Sequence, residues 1–166
     1  MIEEVVLVNE NDVAIGTMEK LEAHQKGLLH RAFSVFIFND KNELLLQRRA
    51  LTKYHSAGLW TNTCCSHSRP NENTLNAANR RLVEEMGIET ELIFKTSFIY
   101  KTKFDNGLTE HEFDHIFFGT SNENPTINAE EVDSFVWMSV EALKQKINLK
   151  PNEFTSWFKI AVKKLF

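Results

Sequence analysis

The stretch "SHSRPNENTLNAANRRLVEEMGI", Ser66 to Ile88, decides the fold. Its second half predicts a helix over "NTLNAANRRLVEEMG". Leu75, Ala78, Leu82 and Met86 recur at helical spacing, Asn73 or Thr74 suits the N-terminal cap, and Gly87 suits the C-terminal cap. Glu84 and Glu85 fall one turn after Arg80 and Arg81, so i,i+4 ion pairs can orient the carboxylates. A carboxylate held that way can take Mg²⁺, and the ion can bridge to a diphosphate. Taken alone, such pairs describe an ordinary solvated helix. What argues beyond that is the fixed spacing of Glu72, Arg80, Leu82, Glu84, Glu85, Gly87 and Ile88.

Just upstream, "WTNTCCSH" holds both cysteines of the chain, Cys64 and Cys65, side by side. Neighbouring cysteines make a strained disulfide, and a zinc ribbon needs spaced pairs. They read as free thiols in a reducing compartment. In an extended strand, residues two apart share a face, so Cys65 and His67 point together and Cys64 points away. Cys64 is therefore expected to be a small buried hydrophobe.

The chain has 166 residues, which bounds it to one domain with a sizeable core. The single domain is expected to span 1–166. No apolar run approaches the roughly 20 residues of a membrane span, and "MIEEVVLVNE" lacks the basic start of a signal peptide. A cytoplasmic location follows as the expectation. A net charge of -4 argues against non-specific nucleic-acid binding, and phosphate chemistry would need locally gathered Lys and Arg.

Strand-like runs outnumber helical ones. "VVLVN" and "DVAIGTMEK" are expected to pair, and "AFSVFIFNDKNELLLQRRA" reads as a hairpin around Asp40-Lys41-Asn42. "LIFKTSFIYKTKF" and "LTEHEFDHIFFGT" form a second hairpin around Asn106-Gly107. "SFVWMS" is a further strand, and "VEALKQKI" and "EFTSWFKIAVKKLF" are helices. The sum is an α/β (α+β) fold with mixed sheets sandwiched between helices.

Position by position, Ser66–Ile88 resembles the Nudix signature G-x5-E-x7-R-E-U-x-E-E-x-G-U. Two positions depart: Ser66 stands for the Gly, and Arg81 stands for a Glu. Nudix hydrolases use that Glu to gather catalytic metals, so Arg81 should favour holding a diphosphate over cleaving it. The remaining marks, "GTMEK", "AHQKGLLHRAFS", "LLLQRRALTK", "WTNTCCSH", "FIYKTK", "TEHE" and "FTSW", resemble the type I isopentenyl-diphosphate Δ-isomerases over nearly the whole chain. One further departure is Ser68, where related sequences usually carry Pro.

The resemblance implies an enzyme that interconverts isopentenyl and dimethylallyl diphosphate. It implies Cys65 and Glu112 as the catalytic pair, with Tyr100 assisting Glu112 and Trp157 stabilising a carbocation. Without the resemblance, Tyr100 is a strand tyrosine and Trp157 a core residue beside Phe154 and Ala161. His24, His30, His67, Glu110 and Glu112 would bind a divalent metal, Mn²⁺ or Zn²⁺. "EHE" supports this in part, because it puts both glutamates on one strand face and His111 on the other. Mg²⁺ would sit with Glu85 and the substrate diphosphate. Lys20, Arg49, Lys53 and Arg81 would hold that diphosphate. His55, His111 and His115 match no motif position and are expected to be structural or surface residues. The partner is a small diphosphate, with the protein a monomer or weak homodimer. A Nudix hydrolase and a non-catalytic diphosphate- or metal-binding module are the competing readings. Arg81 counts against the first, and the presence of both Cys65 and Glu112 counts against the second.

Overall fold

A computed structural model describes residues 2–166. Its strands are β1 (Glu4–Val8), β2 (Ala14–Glu19), β3 (His30–Phe38), β4 (Glu43–Arg49), β5 (Trp60–Thr61), β6 (Cys64–Ser66), β7 (Ile93–Lys103), β8 (Thr109–Thr120) and β9 (Val132–Ser139). Its helices are α1 (Lys20–Lys26), α2 (Thr74–Met86), α3 (Val140–Leu149) and α4 (Ser156–Leu165). All nine strands join one mixed sheet. β3 is its hub, antiparallel to β1 and β6 and parallel to β8.

Alternation along β3 builds two cores. Phe33, Val35 and Ile37 face α2 through Ala77, Ala78, Leu82 and Met86. Phe36 faces the other way, with Leu143 of α3 and Trp157, Phe158, Ala161 and Val162 of α4. The sheet is therefore sandwiched between helices, as the strand and helix patterning predicts.

Two local expectations need correction. The β3–β4 segment is not a full hairpin: its strands pair only at Phe38–Leu44. β3 instead runs beside β8, and β4 pairs with β9 from Glu43 to Arg49. The reason is a polar wedge from "TNT". Thr63 accepts from the Ile37 amide at 2.9 Å and donates to the Leu45 carbonyl at 2.7 Å. Asn62 donates to the Val35 and Cys64 carbonyls, and Gln47 reaches the Thr63 carbonyl. These side chains satisfy backbone groups that a β3–β4 ladder would have paired. The second correction concerns Leu75, which is 38% exposed. It sits in the first turn of α2, and the buried face runs through Ala77, Ala78, Leu82, Glu85 and Met86.

The loop–helix junction is stapled as its sequence predicts. Asn73 caps α2 by accepting from the Leu75 and Asn76 amides. Arg80 grips Glu72 with two hydrogen bonds, at 2.8 and 2.9 Å, and Glu72 also accepts from the Arg69 amide. Gly87 closes the helix at φ 63°, where a Cβ would lie 2.9 Å from the Thr126 carbonyl oxygen. Ser66 needs no glycine: it lies in β6 paired with Phe33, and it is not among the positive-φ residues. Ser68 is buried, and its hydroxyl has no hydrogen-bond partner.

Candidate active site

Strand register assembles the site. Tyr100 on β7, Glu112 on β8 and His30 on β3 lie directly across from one another in a single row. Cys65 on β6 falls opposite Ser34 on the same face of β3. His24 comes from α1, a two-turn helix that the sequence reading missed. Glu19 caps it by accepting from the Leu21 and Glu22 amides, and Gly27 ends it at φ 64°.

A cleft of about 380 Å³ opens over these strands, within the range of roughly 300–1,000 Å³ typical of small-molecule sites. Cys65, Glu112, Glu110, Glu85, His67 and Trp157 line it, and so do all four expected cations, Lys20, Arg49, Lys53 and Arg81. Tyr100, His24 and His30 are fully or nearly fully buried behind its wall. Cys64 points the other way into the α2 core, as the period of two requires.

The histidines and glutamates form a connected cluster. His67 Nε2 is 2.6 Å from Glu112 Oε2, and His30 Nε2 is 3.3 Å from it. His24 Nε2 is 3.8 Å from Glu110 Oε1. The Nδ1–H of His24 donates to the Lys20 carbonyl at 2.6 Å, and that of His30 donates to the Leu28 carbonyl at 2.8 Å. Those bonds leave each Nε2 with a free lone pair, and both Nε2 atoms are buried without a partner. Two orphaned imidazole lone pairs beside two carboxylates are the donor set of a divalent metal. His24, His30, His67 and Glu112 have ligand atoms that converge closely enough to share one ion.

Electrostatics sort the two carboxylates. Burial and the neighbouring Glu112 raise the pKa of Glu110. Burial also works against ionisation of Glu112, but His67 outweighs it and holds that carboxyl well below the usual range. Burial takes His67 down to about 4 despite Glu112, so His67 meets the carboxylate as a neutral N–H donor. The Tyr100 hydroxyl donates to Glu112 and, at 3.2 Å, to Glu110. Burial pushes the Cys65 thiol up, with Arg49 opposing it, so the sulfur is a protonated thiol at rest.

The cations are already engaged. Lys20 pairs with Glu3 at 3.0 Å and Lys53 with Glu131 at 2.6 Å. Arg81 pairs with Glu84 and Glu85 on its own helix and reaches Glu131 at 3.4 Å. Glu85 also accepts from Gln47 at 2.9 Å. Arg49 lies 5.2 Å from the Trp157 ring centre.

Residues 28–158 match the NUDIX domain family. An isopentenyl-diphosphate Delta-isomerase of Pectobacterium atrosepticum is 52% identical over 157 residues, 95% of this chain and 88% of its own length. One from Serratia proteamaculans is 49% identical over 165 residues, covering 99% and 92%. The chain belongs to the isopentenyl-diphosphate Delta-isomerase family. At the level of fold alone, it superposes on DR0079 from Deinococcus radiodurans with a TM-score of 0.83 at 18% identity, over 99% of both chains. A MutT protein from Methanosarcina mazei Go1 gives 0.65 at 18% identity, over 82% and 91%. The chain thus shares its fold with both of these proteins.

Two features of this family member escaped the sequence reading. His55, expected to be structural or at the surface, is instead buried in the cleft, its Nε2 3.5 Å from Glu110 Oε1. It follows "RRALTK" in a loop without periodicity, and only its nearness to those basic residues hinted at the site. Asp114 continues the "EHE" alternation on the same face of β8, and it is buried with Ser34 donating at 2.8 Å. Burial and Glu112 raise its pKa well above the ordinary value. His111 donates to the Gly27 carbonyl and His115 bonds Asp12 and the Ala32 carbonyl, and neither lines the cleft.

Proposed function

We propose that the chain interconverts isopentenyl and dimethylallyl diphosphate by adding one proton and removing another, leaving the diphosphate intact. The observation that carries this reading is a single cleft lined by the Cys65 thiol, the Glu112 carboxylate and four cations. An unactivated alkene needs an acid and a base positioned on the substrate together. In the forward direction the terminal CH₂ gains a proton and becomes a methyl group. A tertiary cation results at the adjoining carbon. Loss of a proton from the next CH₂ forms the new double bond, and the charge balances. Cys65 and Glu112 supply and accept these protons, and the reverse reaction exchanges their roles. Tyr100 donates to Glu112 and holds its orientation.

Water would quench the cation, so the pocket has to be dry where the carbons sit. Trp157 is 4% exposed and lines the cleft, and its ring already carries the Arg49 guanidinium 5.2 Å away. A ring that attracts one cation can stabilise another.

Lys20, Arg49, Lys53 and Arg81 hold the diphosphate, with Arg forks suited to phosphate oxygens. The cleft is nevertheless short of positive charge. Six carboxylates, Glu3, Glu85, Glu110, Glu112, Glu130 and Glu131, face four Lys and Arg side chains. A diphosphate therefore enters with a divalent cation, and Glu85 beside Arg81 is its anchor, with Mg²⁺ the ion suited to phosphate oxygens. His24, His30, His67, Glu110 and Glu112 hold a second ion, Mn²⁺ or Zn²⁺, which lends positive charge to the buried glutamates. A reducing compartment, the cytoplasm, keeps Cys65 as a thiol.

The hydrolase reading is the competitor. Arg81 opposes it, since a guanidinium bonded to Glu84 and Glu85 cannot serve as a metal ligand. Phosphorus NMR of isopentenyl diphosphate with protein and Mg²⁺ separates the two. The isomerase leaves both phosphorus signals coupled while alkene proton signals change. Release of phosphate or a monophosphate overturns the proposal.

A further inference from the structure

His55 is a further nitrogen beside the His/Glu cluster, and the sequence motifs leave it without a role. Its ring is clamped in one orientation. It stacks on Phe104 at 4.6 Å with an interplanar angle of 12°, and stands edge-on to Trp157 at 5.7 Å. Nδ1 is 3.3 Å from Ser56 Oγ, on the side away from the cluster. Nε2 faces Glu110 Oε1 at 3.5 Å without making a hydrogen bond. The ligand atoms of His55, His24 and Glu110 converge within one metal's reach. His24 belongs to both converging sets, and its Nε2 is fully buried with no partner. That atom has one lone pair, because Nδ1–H is committed to the Lys20 carbonyl. One lone pair serves one ion, so an ion held by His24 is also the ion that His55 and Glu110 can approach.

We infer that His55 is a ligand of that metal, giving the ion six side-chain donors: His24, His30, His55, His67, Glu110 and Glu112. The inference rests on the metal site of the reading above. It explains why a buried imidazole nitrogen faces a carboxylate with no hydrogen bond between them: a cation turns that contact attractive. Four imidazoles with two carboxylates favour Zn²⁺, Co²⁺ or Ni²⁺ over harder ions such as Mn²⁺.

The test counts nitrogens. Mn²⁺-loaded protein is examined by pulsed EPR without substrate, alongside H55F, which keeps the stack on Phe104, and H55Q. Zn²⁺ affinity of all three is measured by competition with a chromophoric chelator, and thermal melting of the metal-free forms verifies folding. Four histidine nitrogens in the wild type and three in both variants are expected. Zn²⁺ affinity should fall about tenfold or more, the loss that even outer partners of a metal ligand produce. Three nitrogens throughout, with unchanged Zn²⁺ affinity, overturn the inference while leaving the isomerase reading intact. Four nitrogens in a protein that does not isomerise leave the inference standing and remove that reading. A wild type that binds neither ion overturns both the site and its sixth ligand.

Discussion

The pairing of Cys64 with Cys65 shows how much one residue's direction decides. Both thiols are raised in pKa by burial, yet one packs against α2 and the other opens on the cleft. Only the period of two along β6 separates them. Cys65→Ala should therefore lower kcat on the order of a thousandfold, the scale of a lost proton-transfer group, with substrate Kd nearly unchanged. Isothermal titration and turnover assays read the two quantities, and near-normal turnover would remove Cys65 from the chemistry. Cys64→Ala, by contrast, acts on packing and should register in stability rather than rate. The face of each of these residues was legible in the sequence. The place of His55 was not, since a loop residue has no period and its partners Phe104, Trp157 and Glu110 lie 49, 102 and 55 positions away.

At the level of elements, α2 with its preceding loop depends on the Glu72–Arg80 grip. Arg80 holds the Glu72 carboxyl below its ordinary value of 4.5. A carboxylate with a depressed folded pKa adds stability that is complete above the unfolded value and is lost as pH falls through the folded one. Glu72→Gln should cost about 1 kcal/mol at neutral pH, since the pair is partly exposed. Urea unfolding at a series of pH values should show that difference constant from neutrality down to about pH 5 and closing below it. A difference that grows on acidification would contradict the assignment. This staple was readable because its residues are local, eight apart in the chain. The long β7–β8 hairpin was equally readable, with a Gly turn between two apolar runs. The β3–β4 separation was not. It depends on buried Asn62 and Thr63 bonding strands far away in sequence, and polar residues in "TNT" carry no pattern that says so. α1 escaped for a different reason: seven residues are too few for helical periodicity to register.

Over the whole molecule, the His/Glu cluster draws on widely separated elements. His24 lies on α1, His30 on β3, His67 just beyond β6, and Glu110 and Glu112 on β8. An ion bound by all of them stabilises the fold by mass action, about 2.7 kcal/mol at a hundredfold excess over Kd. Removing it with a chelator should lower Tm by roughly 5–10 °C for a chain of this size. Differential scanning calorimetry before and after chelation, with restoration by Mn²⁺ or Zn²⁺, reads this directly, and an unchanged Tm would argue against a bound ion. None of the described helices is long and apolar enough to cross a membrane.

Cys65 and Glu112 line one cleft, and Arg81, paired with Glu85, lines it with them. The central claim is that this cleft moves protons and spares the diphosphate. A proton NMR time course of isopentenyl diphosphate in D₂O, with the metal-loaded protein and Mg²⁺, tests it most directly. The account predicts dimethylallyl signals carrying deuterium in the newly formed methyl group. Dimethylallyl product without deuterium, or an unchanged alkene with phosphate released, would contradict it.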